Sequence, residues 1–155
     1  MDSSDFSKTL KRVYFLELLP AIVLIGIVYL LKNYTKLLTA IPVAGNFVSA
    51  LVLILSIVVG IAFPVFYRSY FVYKIRDQKR ITTETFINFE KVLIFAALTT
   101  PYFLFISLLI NMKQTANLFI TMLLIYAVYY YFPSEKKMRF EMKIFRIKPL
   151  KNEEA

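Results

Sequence analysis

The chain has no cysteine, no histidine and no tryptophan, and only three glycines in 155 residues. Without cysteine there is no disulfide, no thiolate nucleophile and no sulfur-held metal cluster. Without histidine the commonest metal ligand and the usual general base are gone as well. Redox and zinc chemistry are therefore set aside, and no cofactor or metal is expected. Also missing are a phosphate-cradling glycine loop, any G-x-x-x-x-G-K-[ST] motif and any Ser–His arrangement, so nothing in the sequence points to an enzyme with specificity.

What is abundant is apolar surface: 59% of the residues are hydrophobic, 17% are aromatic, and the mean hydropathy is +0.63. A soluble domain of this length does not need its apolar residues gathered in bilayer-length runs. Val13 to Leu31 is interrupted by charge only at Glu17, and at 1.5 Å per residue it covers about 28 Å of helix. No charged residue occurs between Lys36 and Arg68, and Phe47 to Tyr67 is the natural second span within that stretch. Val92 to Ile110 and Ala116 to Phe132 follow as the third and fourth. The expected fold is all-α, a four-helix transmembrane bundle running up-down-up-down. A leader, residues 1–12, precedes the transmembrane domain of 13–132, and a basic tail, 133–155, follows it. The first run exceeds a signal-peptide core and no A-x-A-like site follows, so it is taken as an uncleaved span.

The formal net charge of +9 would point to nucleic acid in a soluble protein, but its distribution gives another reading. Sixteen of the nineteen Lys and Arg residues fall in the leader, the loop 68–91 and the tail, against three in the other connections. The positive-inside rule then places both termini and the central loop in the cytoplasm. Tyr14 and Phe15, Tyr67 to Tyr73, and Tyr129 to Phe132 gather at the same boundary, as an interfacial aromatic belt does. Arg76, Lys79, Arg80, Lys136, Lys137 and Arg139 are expected to meet anionic lipids of the inner leaflet. Nucleic acid is not expected as a partner.

Glu17 is the one carboxylate inside a span, so it is either paired or functional. Arg68, at comparable depth at the end of the second span, is its expected partner. Thr99-Thr100-Pro101-Tyr102 makes a polar kink in the third span, where threonine hydroxyls satisfy carbonyls freed by proline or line a cavity. Ser49, Ser56 and Gly60 recur on one face of the second span and read as a helix-packing stripe. In the loop, Thr82 is an N-cap, with Ile81 and Phe86 at staple positions. In the tail, Met138 to Ile144 alternates apolar and charged residues, which is a strand period; the segment is expected to lie on the headgroups or to pair as a strand. A poorly amphipathic helix is the third reading.

The four-span size is similar to that of membrane-bound glutathione-dependent enzymes, but their acidic and arginine motif ahead of a bundle-facing Asn is not found. The functional expectation is a structural or accessory subunit of a membrane complex, or a homo-oligomer, in the inner or plasma membrane. An oligomeric transporter or channel component using Glu17 and the kink is the alternative, and a lipid-modifying membrane enzyme the third.

Overall fold

The computed structural model describes residues 3–35, 43–76, 81–145 and 147, and all regular structure among them is helical. The elements are α1 (Ser3–Tyr34), α2 (Asn46–Ile57), α3 (Phe63–Ile75), α4 (Thr83–Leu98), α5 (Thr100–Leu109), α6 (Gln114–Tyr130) and α7 (Glu135–Ile144). Three continuous stretches are long and apolar enough to cross a membrane: Ser4–Tyr34, Asn46–Ile75 and Thr83–Leu109. The fourth candidate is α6 together with α7, which meet at a 74° bend. At 17 residues α6 spans about 26 Å on its own.

Each break has a chemical cause. Between α2 and α3 the backbone widens into a π-helical turn over Val58–Ala62, where the Phe63 N–H reaches back five residues to Val58 O. Pro64 follows at once; it has no N–H for the Gly60 carbonyl, and the widened turn takes up the mismatch. Helix α4 ends at Thr99, and α5 restarts with Pro101 in its first turn, the one place where a missing N–H costs nothing. A tight turn follows α5: Asn111 takes φ 50°, and the Met112 N–H bonds Ser107 O at 3.0 Å, which closes a Schellman cap.

The expected boundaries change at the basic end. Residues 3–12, within the expected leader, are helical and continuous with the first span in α1, with Phe6, Ser7 and Leu10 fully buried. Most of loop 68–91 is likewise helical, because α3 runs on to Ile75 and α4 starts at Thr83. Thr82 does stand at the N-cap of α4, but its hydroxyl bonds the Thr85 hydroxyl at 2.7 Å rather than a backbone N–H. Ile81 and Phe86 are both buried in one cluster, as a staple requires. Of the three readings of Met138 to Ile144, the segment is not a strand but a helix, Glu135–Ile144, and an amphipathic one. Ser134 caps it by accepting from the Lys137 N–H, and Met138, Glu141, Met142 and Phe145 bury one face at helical spacing.

The third hydrophobic stretch is the hub. Helices α4 and α5 pack against α1, against α2 and α3, and against α6, and half of the most apolar Thr83–Leu109 window is buried, compared with 22% and 28% for the other two. Most of the buried apolar core lies at the basic end, where Phe6, Leu10, Phe71, Phe86, Phe89, Met138, Met142 and Phe145 meet. Phe71 and Phe89 stack with ring centroids 3.9 Å apart, and Phe145 sets its edge on both. The sides of the helices instead expose large apolar residues such as Leu16, Phe47, Phe66 and Phe119. A groove of about 750 Å³ runs between α1 and α6, lined by Tyr14, Leu18, Leu124, Val128 and Phe132.

Candidate functional site

The most polar part of the interior lies inside the basic-end core and is built by three helices. Glu90 sits on the inner face of α4, on the same stripe as Phe86, Phe89 and Leu93. Glu141 sits on the inner face of α7 between Met138 and Met142. They are 1% and 3% exposed. The two side chains lie within reach of each other in this core, where Phe145, next to the end of α7, packs edge-on against Phe89 beside Glu90. Arg68, from α3, donates its Nη1 to Glu141 Oε1 at 3.2 Å, with the guanidinium side chain 34% exposed. Glu90 Oε1 and Glu141 Oε2 are buried and accept no hydrogen bond from a donor. Lys137, at the start of α7, adds positive potential at Glu90.

Lys137 is itself fixed by its surroundings. Its ammonium donates to Tyr130 O at 3.2 Å and lies over the rings of Tyr130 and Tyr131 at 5.5 and 5.3 Å from their centroids. The bend that brings α7 over is held from the other end of the chain, where the Ser7 hydroxyl donates to Pro133 O at 2.8 Å. Close by, the Tyr14 hydroxyl donates to Val128 O at 2.8 Å. Neutral hydrogen bonds of this kind each contribute about 1 kcal/mol, and here they set the position of α7 over the carboxyl pair.

The expected Glu17–Arg68 pair is not formed; the carboxylate on Arg68 is Glu141. The reason is geometric. Helix α1 packs on α4, α5 and α7 while α3 packs on α4, so Arg68 meets the carboxylate that α7 carries in. Glu17 is half-buried, and its backbone carbonyl accepts from the Tyr102 hydroxyl at 3.2 Å. The first span and the kink therefore do meet. Within the kink, the Thr99 hydroxyl bonds Phe95 O at 2.9 Å, so it serves its own helix. Thr100 is fully buried and its hydroxyl has no partner.

The packing stripe and the kink also come together. Ser49, Ser56 and Gly60 are all buried, and a Cβ added at Gly60 would lie 2.6 Å from Thr100 Oγ1. Of the expected lipid contacts, Arg76, Lys136 and Arg139 are exposed, Lys137 is drawn onto the tyrosines, and Lys79 and Arg80 lie outside the described residues. No group of three or more acidic residues that could hold a metal occurs among the described residues. No protein-family model, curated protein or solved structure matches the chain.

Sequence reasoning missed Glu90 and Glu141, although each carried a signal. Both carboxylates fall on the apolar stripe of their own helix, Glu90 between Phe86 and Leu93 and Glu141 between Met138 and Phe145. An acidic residue on a buried stripe needs a partner from elsewhere in the fold.

Proposed function

We propose that the chain is a small multi-pass protein of the inner or plasma membrane. It forms a four-helix transmembrane bundle with both termini cytoplasmic, and it serves as a structural or accessory subunit of a membrane complex. The supporting observation is the division of the molecule into a well-packed basic end and flanks that expose apolar side chains. Flanks of that kind are stable against lipid acyl chains and costly against water. The bent helix α7 covers the basic end and turns Lys136, Arg139, Lys143, Phe140 and Ile144 outward. That face combines three cations with two apolar side chains, which suits an acidic, partly apolar partner or the anionic leaflet itself.

Affinity purification of the full chain in mild detergent is expected to bring down a membrane complex, and replacing Lys136, Arg139 and Phe140 together by Ser is expected to release it. A lone monomer in both cases overturns the accessory role. A reporter fused after Ala155 is expected to be active in the cytoplasm, and activity only outside overturns the orientation. The transport alternative draws support from the contact of Tyr102 with Glu17. It requires Glu17→Gln to change ion or solute flux in vesicles holding the protein.

A further inference from the structure

We infer that Glu90 and Glu141 form a proton-binding site that holds one proton between two carboxylates, and that this proton keeps α7 docked on the basic end. The inference goes beyond the accessory role and does not depend on the identity of any partner.

Two carboxylates are buried in one core, on α4 and on α7, where Phe145 packs on Phe86 and Phe89, and a single guanidinium, Arg68, is bonded to one oxygen of Glu141. With both ionised, two like charges would face each other in a low-dielectric core. Their remaining oxygens would lack donors, as Glu90 Oε1 and Glu141 Oε2 do. A proton on one carboxyl supplies a donor where none exists and leaves a single negative charge for Arg68 to balance. The groups that face this site on each packed element are few. Arg68 comes from α3, Lys137 and Glu141 from α7, and Tyr131 from the end of α6. Helix α1 sends Phe6, Ser7, Leu10 and Tyr14 into this core, with the Tyr14 and Ser7 hydroxyls committed to backbone carbonyls.

The two halves of the site lie on different elements, so its occupancy is coupled to docking. When α7 leaves, both carboxyls enter water and the proton is lost at neutral pH. The docked form therefore binds one proton more than the undocked form, and docking weakens as pH rises. For one proton, the undocked population grows about tenfold per pH unit through the transition.

The experiment uses the full chain in lipid nanodiscs and follows the infrared C=O stretch of a protonated carboxyl, which is separate from the carboxylate bands. At neutral pH a protonated carboxyl is expected in the native chain and in Glu17→Gln, and is expected to be lost in Glu90→Gln. No such band in the native chain, or one that persists in Glu90→Gln and vanishes in Glu17→Gln, overturns the site. Docking is read separately. The chain has no cysteine, so Met142→Cys on the buried face of α7 and Lys143→Cys on the exposed face can each be labelled alone with a maleimide. The ratio of Met142→Cys to Lys143→Cys labelling is expected to rise with pH by up to about tenfold per unit, over the range in which the band fades. In a Glu90→Gln background the ratio is expected to stay low and flat. An equal rise with and without Glu90→Gln overturns the coupling.

Discussion

Gly60 faces Thr100 so closely that the contact can be tested by the sign of an energy. An alanine Cβ at position 60 would sit 2.6 Å from Thr100 Oγ1, well inside the 3.4 Å at which ordinary contact begins. Threonine is β-branched and stiff at χ1, and Thr100 is fully buried beside Pro101, so the hydroxyl has little room to yield. Overpacking of this kind costs about 1–3 kcal/mol. Replacing glycine inside a helix returns about 1 kcal/mol in propensity, so Gly60→Ala alone is expected to destabilise by about 0–2 kcal/mol. Thr100→Ala gives up one methyl, about 0.8 kcal/mol, but also removes a buried hydroxyl without a partner, a burden of about 1–3 kcal/mol. That variant is expected to be neutral or slightly stabilised. In the Thr100→Ala background the clash is gone, and Gly60→Ala is expected to stabilise by up to about 1 kcal/mol. The sign thus inverts, with a coupling energy of about 1–3 kcal/mol in a double-mutant cycle. Reversible unfolding in mixed micelles reads all four proteins. Energies that add to within about 0.5 kcal/mol would refute the close approach of the two helices.

Arg68→Ala strips the cation from Glu141 and is expected to cost about 2–3 kcal/mol, below the range for fully buried pairs because a third of the side chain is open to solvent. Glu17→Gln is expected to cost under about 0.5 kcal/mol, since the Tyr102 bond runs to its backbone; the reverse order in micelle unfolding would contradict the assignment of Arg68 to Glu141. Ser134→Ala removes the N-cap of α7 and is expected to cost about 0.5–2 kcal/mol, with faster amide exchange confined to Glu135–Ile144. Faster exchange spread over all the helices would show that α7 does not open on its own.

The long apolar runs were legible because the bilayer criterion depends only on composition and length, and three of the four expected spans coincide with helices long and apolar enough to cross a membrane. The two termini were harder because charge masked their apolar face. Phe6 and Leu10 in the leader and Tyr14 just beyond it stand four apart, a helical stripe that a count of charges passes over. In α7 the exposed Phe140 and Ile144 interleave with the buried Met138 and Met142, which mimics a strand alternation; Phe145, one position past the helix, breaks the period of two. The carboxyl pair joins residues 51 positions apart on segments with no apolar run between Glu141 and its neighbours long enough to draw notice. Depth along the spans matches Arg68 to Glu17, but the carboxylate that Arg68 meets depends on how the tail folds back.

The Ser7–Pro133 bond joins residues 126 positions apart, and the core around it draws on both Phe6 and Phe145. Sequence-distant closure of this kind carries a timing consequence for synthesis. At about 5–20 residues per second, the inner face of α1 waits several seconds after leaving the ribosome before α7 exists to cover it. During that interval Phe6, Leu10 and Phe86 offer an apolar surface at the mouth of the insertion machinery, and completion of the fold is deferred until Pro133 and α7 have been made. Truncation before residue 135 would therefore leave membrane insertion intact yet yield a chain that is held by chaperones and removed by quality control.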